Sequence, residues 1–166
     1  FFLYYSISPP HMPLLDAPDE YLSMYNPNDI PLRPNVWVDG DLPFDERWFK
    51  IYLWDFLFYD QNLPHTRHLP EDFDLKKLVA LYYGMTTWVD DMVGCLMYNL
   101  QRHGLSDNTI VLFVSDHGDN LGSHHRFNKG LLIEESIRIP MIFHSTEHWS
   151  SRIVSDQVAQ LIDVMP

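Results

Sequence analysis

A long stretch of helical periodicity, followed at once by a short apolar run, most constrains how this chain folds. Between residues 75 and 103, apolar side chains recur at the spacing of one helix face, and Gly104 follows as a typical helix stop. Residues 109–114 are apolar or β-branched throughout. Such a run suits a strand that is covered on both faces, as in a parallel sheet. A helix leading into such a strand predicts an α/β fold.

The other predicted elements continue this order along the chain. Residues 1–8 are apolar and aromatic and predict a buried strand, which must end at the prolines that follow. The Pro-rich region 14–70 predicts a loop-rich insert. Further elements are predicted at residues 44–59 (helix), 131–136 (short helix), 139–144 (strand) and 154–164 (helix). We therefore expect residues 1–166 to form part of one domain, with a mostly parallel sheet flanked by helices.

Net charge and composition exclude some classes of binding partner. Eleven Lys and Arg residues against 23 Asp and Glu residues give a net charge of −12. Nucleic-acid binding requires clustered cations, so we expect no nucleic-acid partner. We also expect no membrane span, because no stretch approaches the roughly 20 apolar residues that one requires. Cys95 is the only cysteine, so no disulfide can form within the chain. Its position in the predicted helix suggests that it is a small core residue.

Chemistry-bearing residues follow the apolar run directly. In open α/β sheets, ligands bind at the carboxyl ends of the strands, and Asp116 and His117 stand where this strand ends. A carboxylate suits a hard cation, and an imidazole also admits Mn or Zn. Gly118 allows the sharp turn that would aim both side chains at one ion. A strand-end loop rich in Asp and Gly is the ordinary alternative, and composition alone does not separate the two.

A cationic side chain lies a short distance further along. Lys129 follows Asp116 by thirteen positions. A lysine can bind an oxyanion beside a metal that polarises the same group. A solvated surface lysine is the ordinary alternative.

An ordered set of motifs resembles the sulfatase family. The matching segments are Phe2–Pro13, Tyr83–Gly94, Asp107–Val111, Ser115–Asp119, Leu121–His124, Lys129, Glu134–Pro140 and Asp163–Pro166. The family belongs to the alkaline phosphatase superfamily, which includes the phosphonate monoester hydrolases, and the resemblance is close to choline-sulfatase-like and phosphonate hydrolase-like members. It implies an alkaline phosphatase-like sandwich, of which this chain would hold an internal-to-C-terminal part.

The resemblance also implies roles for individual residues. Asp116 and His117 match the family's second pair of metal ligands, with Ca²⁺ the usual ion and Mn²⁺ or Zn²⁺ in some phosphonate hydrolases. Lys129 matches a lysine that holds the sulfate or its leaving oxygen. His11 matches a histidine that contacts the ester and protonates the leaving group, a role that suits an imidazole. His124 matches a loop histidine to which no role is assigned.

Two parts of the family pattern are absent from these residues. The sequence contains no Cys/Ser-x-Pro/Ala-x-Arg motif, which is the site of formylglycine formation, and no counterpart of the first acidic metal-ligand pair. In the family both precede the position of Phe1. The chain also begins without a signal-peptide pattern and ends inside an apolar periodic segment. We therefore expect a fragment that is inactive by itself and binds metal weakly.

The function expected for the parent protein is hydrolysis of a sulfate ester of a sugar, choline or an aryl alcohol. One alternative is a phosphonate or phosphate ester hydrolase on the same scaffold. Another is a non-catalytic relative that binds sulfated glycans, which the residue at the nucleophile position would distinguish. The resemblance slightly favours a periplasmic or secreted location, although the sequence leaves the compartment open.

Overall fold

The structure is a computed structural model, and its described residues cluster into two compact units. Unit 1 comprises residues 1–95 and 120–128, and unit 2 comprises residues 96–119 and 129–166. The helix expected at residues 44–59 lies outside the described residues. Across the described residues, no helix has the length and apolar character needed to cross a membrane. The described residues are 1–36, 74–124, 127–149, 152 and 154–164.

The predicted long helix is confirmed as α2, which spans Leu75–Arg102. Asp74 caps its first turn, because the Asp74 Oδ1 atom accepts a hydrogen bond of 2.8 Å from the Lys76 N–H group. At the other end the N–H groups of Gly104 and Leu105 bond back to carbonyl groups of the last turn, at 3.0 and 2.9 Å. This is the Schellman arrangement, which ends the helix where the sequence predicts.

The core of unit 1 forms where the segment at residues 14–30 packs on the first half of α2. This segment carries a short helix, α1, at Asp19–Leu22. Apolar residues recur on one face of α2 and meet the apolar residues of the segment, which is the packing that an amphipathic helix requires. The buried cluster consists of Leu14, Ala17, Tyr21, Ile30, Leu78, Val79, Ala80, Leu81, Met85 and Phe127.

Two tyrosines add polar contacts to this packing. The Tyr21 hydroxyl donates a 2.7 Å hydrogen bond to the Asp91 Oδ2 atom. This bond, together with burial and the negative charge of Asp91, raises the pKa of Tyr21 to about 12. The hydroxyl oxygens of Tyr25 and Thr87 are hydrogen-bonded at 2.8 Å. The ring of Tyr25 also packs edge-on against the ring of Tyr83, with the ring centroids 5.6 Å apart.

Gly84 allows the segment and α2 to come into backbone contact. A Cβ atom at Gly84 would overlap the Tyr21 carbonyl oxygen, which belongs to the backbone and cannot swing aside. Gly94 lies on the same helix, and a Cβ atom there would meet nothing within 4 Å. Glycine is therefore required for packing at position 84 but not at position 94. Comparing the two positions distinguishes the packing effect from the lower helix propensity that both glycines share.

We expect Gly84→Ala to lower the free energy of unfolding by about 1–3 kcal/mol, because the added methyl group must push the segment away from α2. Gly94→Ala is the matched control. It should be neutral or stabilising by up to about 1 kcal/mol, since alanine is the better helix former. Denaturant unfolding of both variants measures the difference. Equal stabilities would show that the Tyr21–Gly84 contact contributes nothing.

Unit 2 is built on a two-stranded sheet. Strand β1 spans Val111–Val114 and strand β2 spans Met141–His144. The strands pair antiparallel, with Val111 opposite His144 and Val114 opposite Met141. Between them a short helix, α3, occupies Glu134–Ile137. The carboxyl end of β1 therefore lies beside the start of β2.

The structure corrects several sequence-based expectations. Within the described residues the sheet is antiparallel and two-stranded, not mostly parallel. The prediction failed because an apolar strand sequence indicates that both faces are covered but does not indicate the direction of the neighbouring strand. Residues 1–8 have no strand partner among the described residues, and most of their side chains are exposed. The expected last helix is only a 3₁₀ turn at Leu161–Asp163. Cys95 is exposed and not a core residue, since the core-facing part of α2 ends before it.

Candidate metal centre

The loop that follows β1 is held by hydrogen bonds within itself. The Ser115 hydroxyl donates to the His117 carbonyl at 2.7 Å. The His117 N–H group donates to the Asp116 Oδ1 atom at 2.9 Å. The backbone of Ser115–His117 is thereby fixed, and both candidate ligands project from a defined turn.

The imidazole of His117 is oriented by the residue after it. Its Nδ1 atom lies 2.8 Å from the Gly118 carbonyl oxygen. Because a carbonyl only accepts, Nδ1 carries the proton in this contact, and a neutral ring then presents a lone pair on Nε2. A hydrogen bond from the second ring nitrogen to a carbonyl is how metal-binding histidines are commonly oriented.

The two candidate ligands face each other. The His117 Nε2 atom lies 3.4 Å from the Asp116 Oδ2 atom. The Asp116 side chain is 81% exposed and that of His117 is 35% exposed, so neither side chain is enclosed by the fold. At this distance either a proton on Nε2 or a metal cation between the two atoms would make the contact favourable.

These donor atoms fit a divalent ion. An ion bonded to both at about 2.3–2.6 Å and at an angle near 90° would hold them about 3.3–3.7 Å apart, a range that includes the observed 3.4 Å. Among the residues that the structure describes, no group of three or more His, Cys, Asp or Glu side chains could enclose a metal. Asp116 and His117 are thus a pair of possible donors and not a complete metal site within the described residues.

Gly118 fixes this loop against α3. The Gly118 N–H group donates to the Ser136 carbonyl at 2.9 Å. A Cβ atom at Gly118 would overlap the backbone oxygen of Glu135. The sequence predicted that Gly118 provides a turn. In addition, Gly118 allows the close approach to α3. The sequence around Gly118 could not predict this contact, because Glu135 lies in a different predicted element.

Lys129 directly follows a loop, residues 120–128, of which the structure describes residues 120–124 and 127–128. The Asn120 N–H group donates to the Asn128 carbonyl at 2.9 Å, which joins the two ends of the loop. Asn128 has a positive φ of 63°, a conformation that costs a non-glycine residue on the order of 1 kcal/mol. Lys129 is partly buried and belongs to unit 2, as do Asp116 and His117.

His124 lies at the far end of the same loop. Its φ is 54°, and its N–H group donates to the Asn35 carbonyl at 3.0 Å. The Asn35 side-chain amide lies 3.1 Å from the His124 Nε2 atom. These contacts hold His124 in the loop of unit 1. Sequence analysis missed the involvement of Asn35, which is 89 residues away along the chain and carries no motif.

His11 lies in unit 1, in the proline-rich turn that follows residues 1–8. Its N–H group donates to the Ser8 carbonyl at 3.0 Å. The ring is exposed, and its Nδ1 atom lies 2.8 Å from the Met12 carbonyl oxygen. As in His117, this contact leaves Nε2 as the nitrogen that can face a ligand.

Comparison with known proteins identifies the class to which this fold and loop belong. The family model described as "Sulfatase" matches residues 1–166. The chain is a member of the sulfatase family. The expectation drawn from the motifs of the sequence is thereby confirmed.

Individual relatives point to the same superfamily. The chain is 34% identical over 169 residues to the arylsulfatase of Clostridium perfringens, covering 100% of this chain and 32% of that protein. It is 27% identical over 170 residues to the multifunctional alkaline phosphatase superfamily protein PehA of Trinickia caryophylli, covering 100% and 33%. Among solved structures it resembles the phosphonate monoester hydrolase SpPMH of Silicibacter pomeroyi. That match has a TM-score of 0.59 and 26% identity, and covers 82% of this chain and 27% of that one.

The chain thus spans about a third of the length of these curated relatives. The structural match supports the sulfatase and phosphonate monoester hydrolase fold for this region. Within the described residues, the sheet consists of the two antiparallel strands β1 and β2.

We expect Gly118→Ala to weaken binding of Ca²⁺ to the complete protein by about 10-fold or more, because the displaced loop would no longer hold the His117 ring in place. Calorimetric titration with Ca²⁺ measures the affinity. Gly94→Ala adds the same methyl group in open space and should leave the affinity unchanged. An affinity unaffected by Gly118→Ala would mean that the contact with α3 does not position the ligands.

Proposed function

We propose that these residues form part of the active site of a metal-dependent sulfatase, which hydrolyses a sulfate ester to an alcohol and sulfate. The observation that carries the proposal is the pair of donor atoms on Asp116 and His117, which face each other at 3.4 Å in a chain of the sulfatase family. Sulfate esters are anionic and resist attack by nucleophiles. Their hydrolysis therefore needs positive charge close to the sulfate oxygens.

Asp116 and His117 would hold the divalent cation, with Ca²⁺ the favoured ion. The carboxylate of Asp116, on a side chain that is 81% exposed, would supply the hard oxygen that Ca²⁺ prefers, and the nitrogen ligand is also compatible with Mn²⁺ or Zn²⁺. The bound cation would supply Lewis-acid polarisation of the ester oxygens. The hydrogen bond from His117 to the Gly118 carbonyl keeps the ligand nitrogen facing that position.

Lys129 would bind the oxyanion. Its ammonium group is a compact cation with three donors, which can contact sulfate oxygens from any direction. The closed loop before it restrains the lysine backbone, so that less conformational entropy is lost when the anion binds. In the proposed reaction Lys129 stabilises the negative charge that develops as the ester bond breaks.

His11 would move a proton to the leaving oxygen. Its Nδ1 atom is engaged by the Met12 carbonyl, so the proton would be delivered from Nε2. The alkoxide of a sugar or of choline is a poor leaving group, and protonation as the bond breaks lowers the barrier. The attacking nucleophile, a formylglycine by family resemblance, would come from residues outside this chain.

A phosphonate or phosphate ester hydrolase is the second candidate. It is favoured by the structural match to a phosphonate monoester hydrolase and by the similarity to a multifunctional alkaline phosphatase superfamily protein. Both reactions cleave a tetrahedral oxyanion ester and would use Asp116, His117 and Lys129 in the same way. Rates on an aryl sulfate and on the matching aryl phosphonate monoester separate the two candidates.

We expect Asp116→Ala to lower kcat/KM for aryl sulfate hydrolysis by on the order of 1,000-fold, since several kcal/mol of charge stabilisation are lost with the metal. The complete protein is produced together with a formylglycine-generating enzyme, and initial rates are measured with and without added Ca²⁺. Asp90→Ala is the control, because Asp90 is an exposed carboxylate on α2. Undiminished hydrolysis by Asp116→Ala would refute the assignment.

A further inference from the structure

The loop at residues 120–128 holds an unfavourable backbone conformation. Leu121, His124 and Asn128 all have positive φ, at 43°, 54° and 63°. Asparagine and histidine adopt this region more readily than most residues, whereas a leucine persists in it only where surrounding contacts impose it. Other contacts must therefore stabilise the loop that leads into Lys129.

Arg33 supplies such a contact from a distant part of the sequence. One nitrogen of its guanidinium group, Nη1, donates to the Asn120 carbonyl at 3.2 Å and to the Ser123 hydroxyl at 3.0 Å. Both Asn120 and Ser123 are fully buried. Hydrogen bonds from a charged donor to buried acceptors are stronger than those between neutral groups. Arg33 therefore joins the start of the loop to its middle.

The residues after Arg33 extend the same attachment. Val36 forms a β-bridge with Ser123, and the Asn35 carbonyl accepts from the His124 N–H group. All these residues belong to unit 1. The attachment is therefore a continuous strip of backbone and side-chain bonds along one side of the loop, and Arg33 provides its charged anchor.

We propose that Arg33 is a positioning residue, which keeps the loop at residues 120–128 closed and thereby fixes the backbone of Lys129 for anion binding. This inference rests on the proposed role of Lys129. Arg33 acts through Asn120, whose N–H group bonds to the carbonyl of Asn128, the residue before the lysine. Without the guanidinium, the left-handed residues relax towards ordinary conformations, the Asn120–Asn128 bond opens, and the lysine loses its fixed position.

The test is a calorimetric titration of sodium sulfate into the Ca²⁺-loaded complete protein. We expect Arg33→Met to weaken sulfate binding by about 10-fold, and Arg33→Lys, which keeps a charged donor, to remain within about 3-fold of the wild type. Arg102→Met removes an exposed arginine at the end of α2 and should change nothing. In a Lys129→Ala background, Arg33→Met should have no further effect, because coupled residues are not additive.

Hydrogen exchange supplies a readout that does not depend on the ligand. In Arg33→Met the amide of Ser123 should exchange at least about 10-fold faster, because the loop opens, while amides in the middle of α2 keep their protection. Should Arg33→Met fail to fold, Ser123→Ala takes its place. It removes one of the two acceptors and should weaken sulfate binding by about 3-fold.

Three results overturn the inference. They are an additive effect of Arg33→Met in the Lys129→Ala background, unchanged exchange of the Ser123 amide, and a wild-type protein that binds no sulfate. A protein that binds sulfate through Lys129 but cleaves neither sulfate nor phosphonate esters refutes the proposed function and leaves the positioning role of Arg33 standing.

Discussion

The backbone hydrogen bond from Gly118 to Ser136 is the constraint on which the candidate metal centre depends. It joins the loop after β1 to α3 at a distance that only glycine permits, because a side chain at position 118 would overlap the Glu135 carbonyl. The same glycine offers its carbonyl to the His117 ring. One residue therefore sets both the course of the loop and the orientation of the imidazole.

A net charge of −12 does not oppose binding of an anionic ester at this place. Net charge acts over the whole surface and is screened by salt within about 10 Å at an ionic strength of 0.1 M. An ion held by Asp116 and His117, with Lys129 nearby in sequence, would place positive charge where it is needed. The acidic surface bears on solubility and on steering, whereas in the proposed site the ligand would be selected by these few residues.

The amount that sequence could predict differs between the elements. Helix α2 was predicted almost to the residue, because its periodicity and its Gly104 stop are both local signals. Residues 1–8 were predicted as a buried strand and are mostly exposed, since apolar composition cannot state whether a neighbouring strand is present. The antiparallel pairing of β1 and β2 was missed for the same reason, because it depends on a partner and not on the strand itself.

Sequence motifs single out the candidate ligands but not the residues that contact the neighbouring loop. Asp116 and His117 are adjacent in sequence, so their approach requires only one turn, and the structure places them face to face. Arg33 contacts Asn120 across 87 residues. Because no local pattern encodes such a contact, only the folded chain reveals it.

The most direct test of the account is a crystal structure of the complete protein grown with Ca²⁺, with anomalous difference density measured at long wavelength. The account predicts a peak bonded to the Asp116 Oδ2 and His117 Nε2 atoms, at about 2.3–2.6 Å from the carboxylate oxygen. Fully occupied Ca²⁺ density elsewhere in the protein, with these two side chains turned apart and no peak between them, would contradict it.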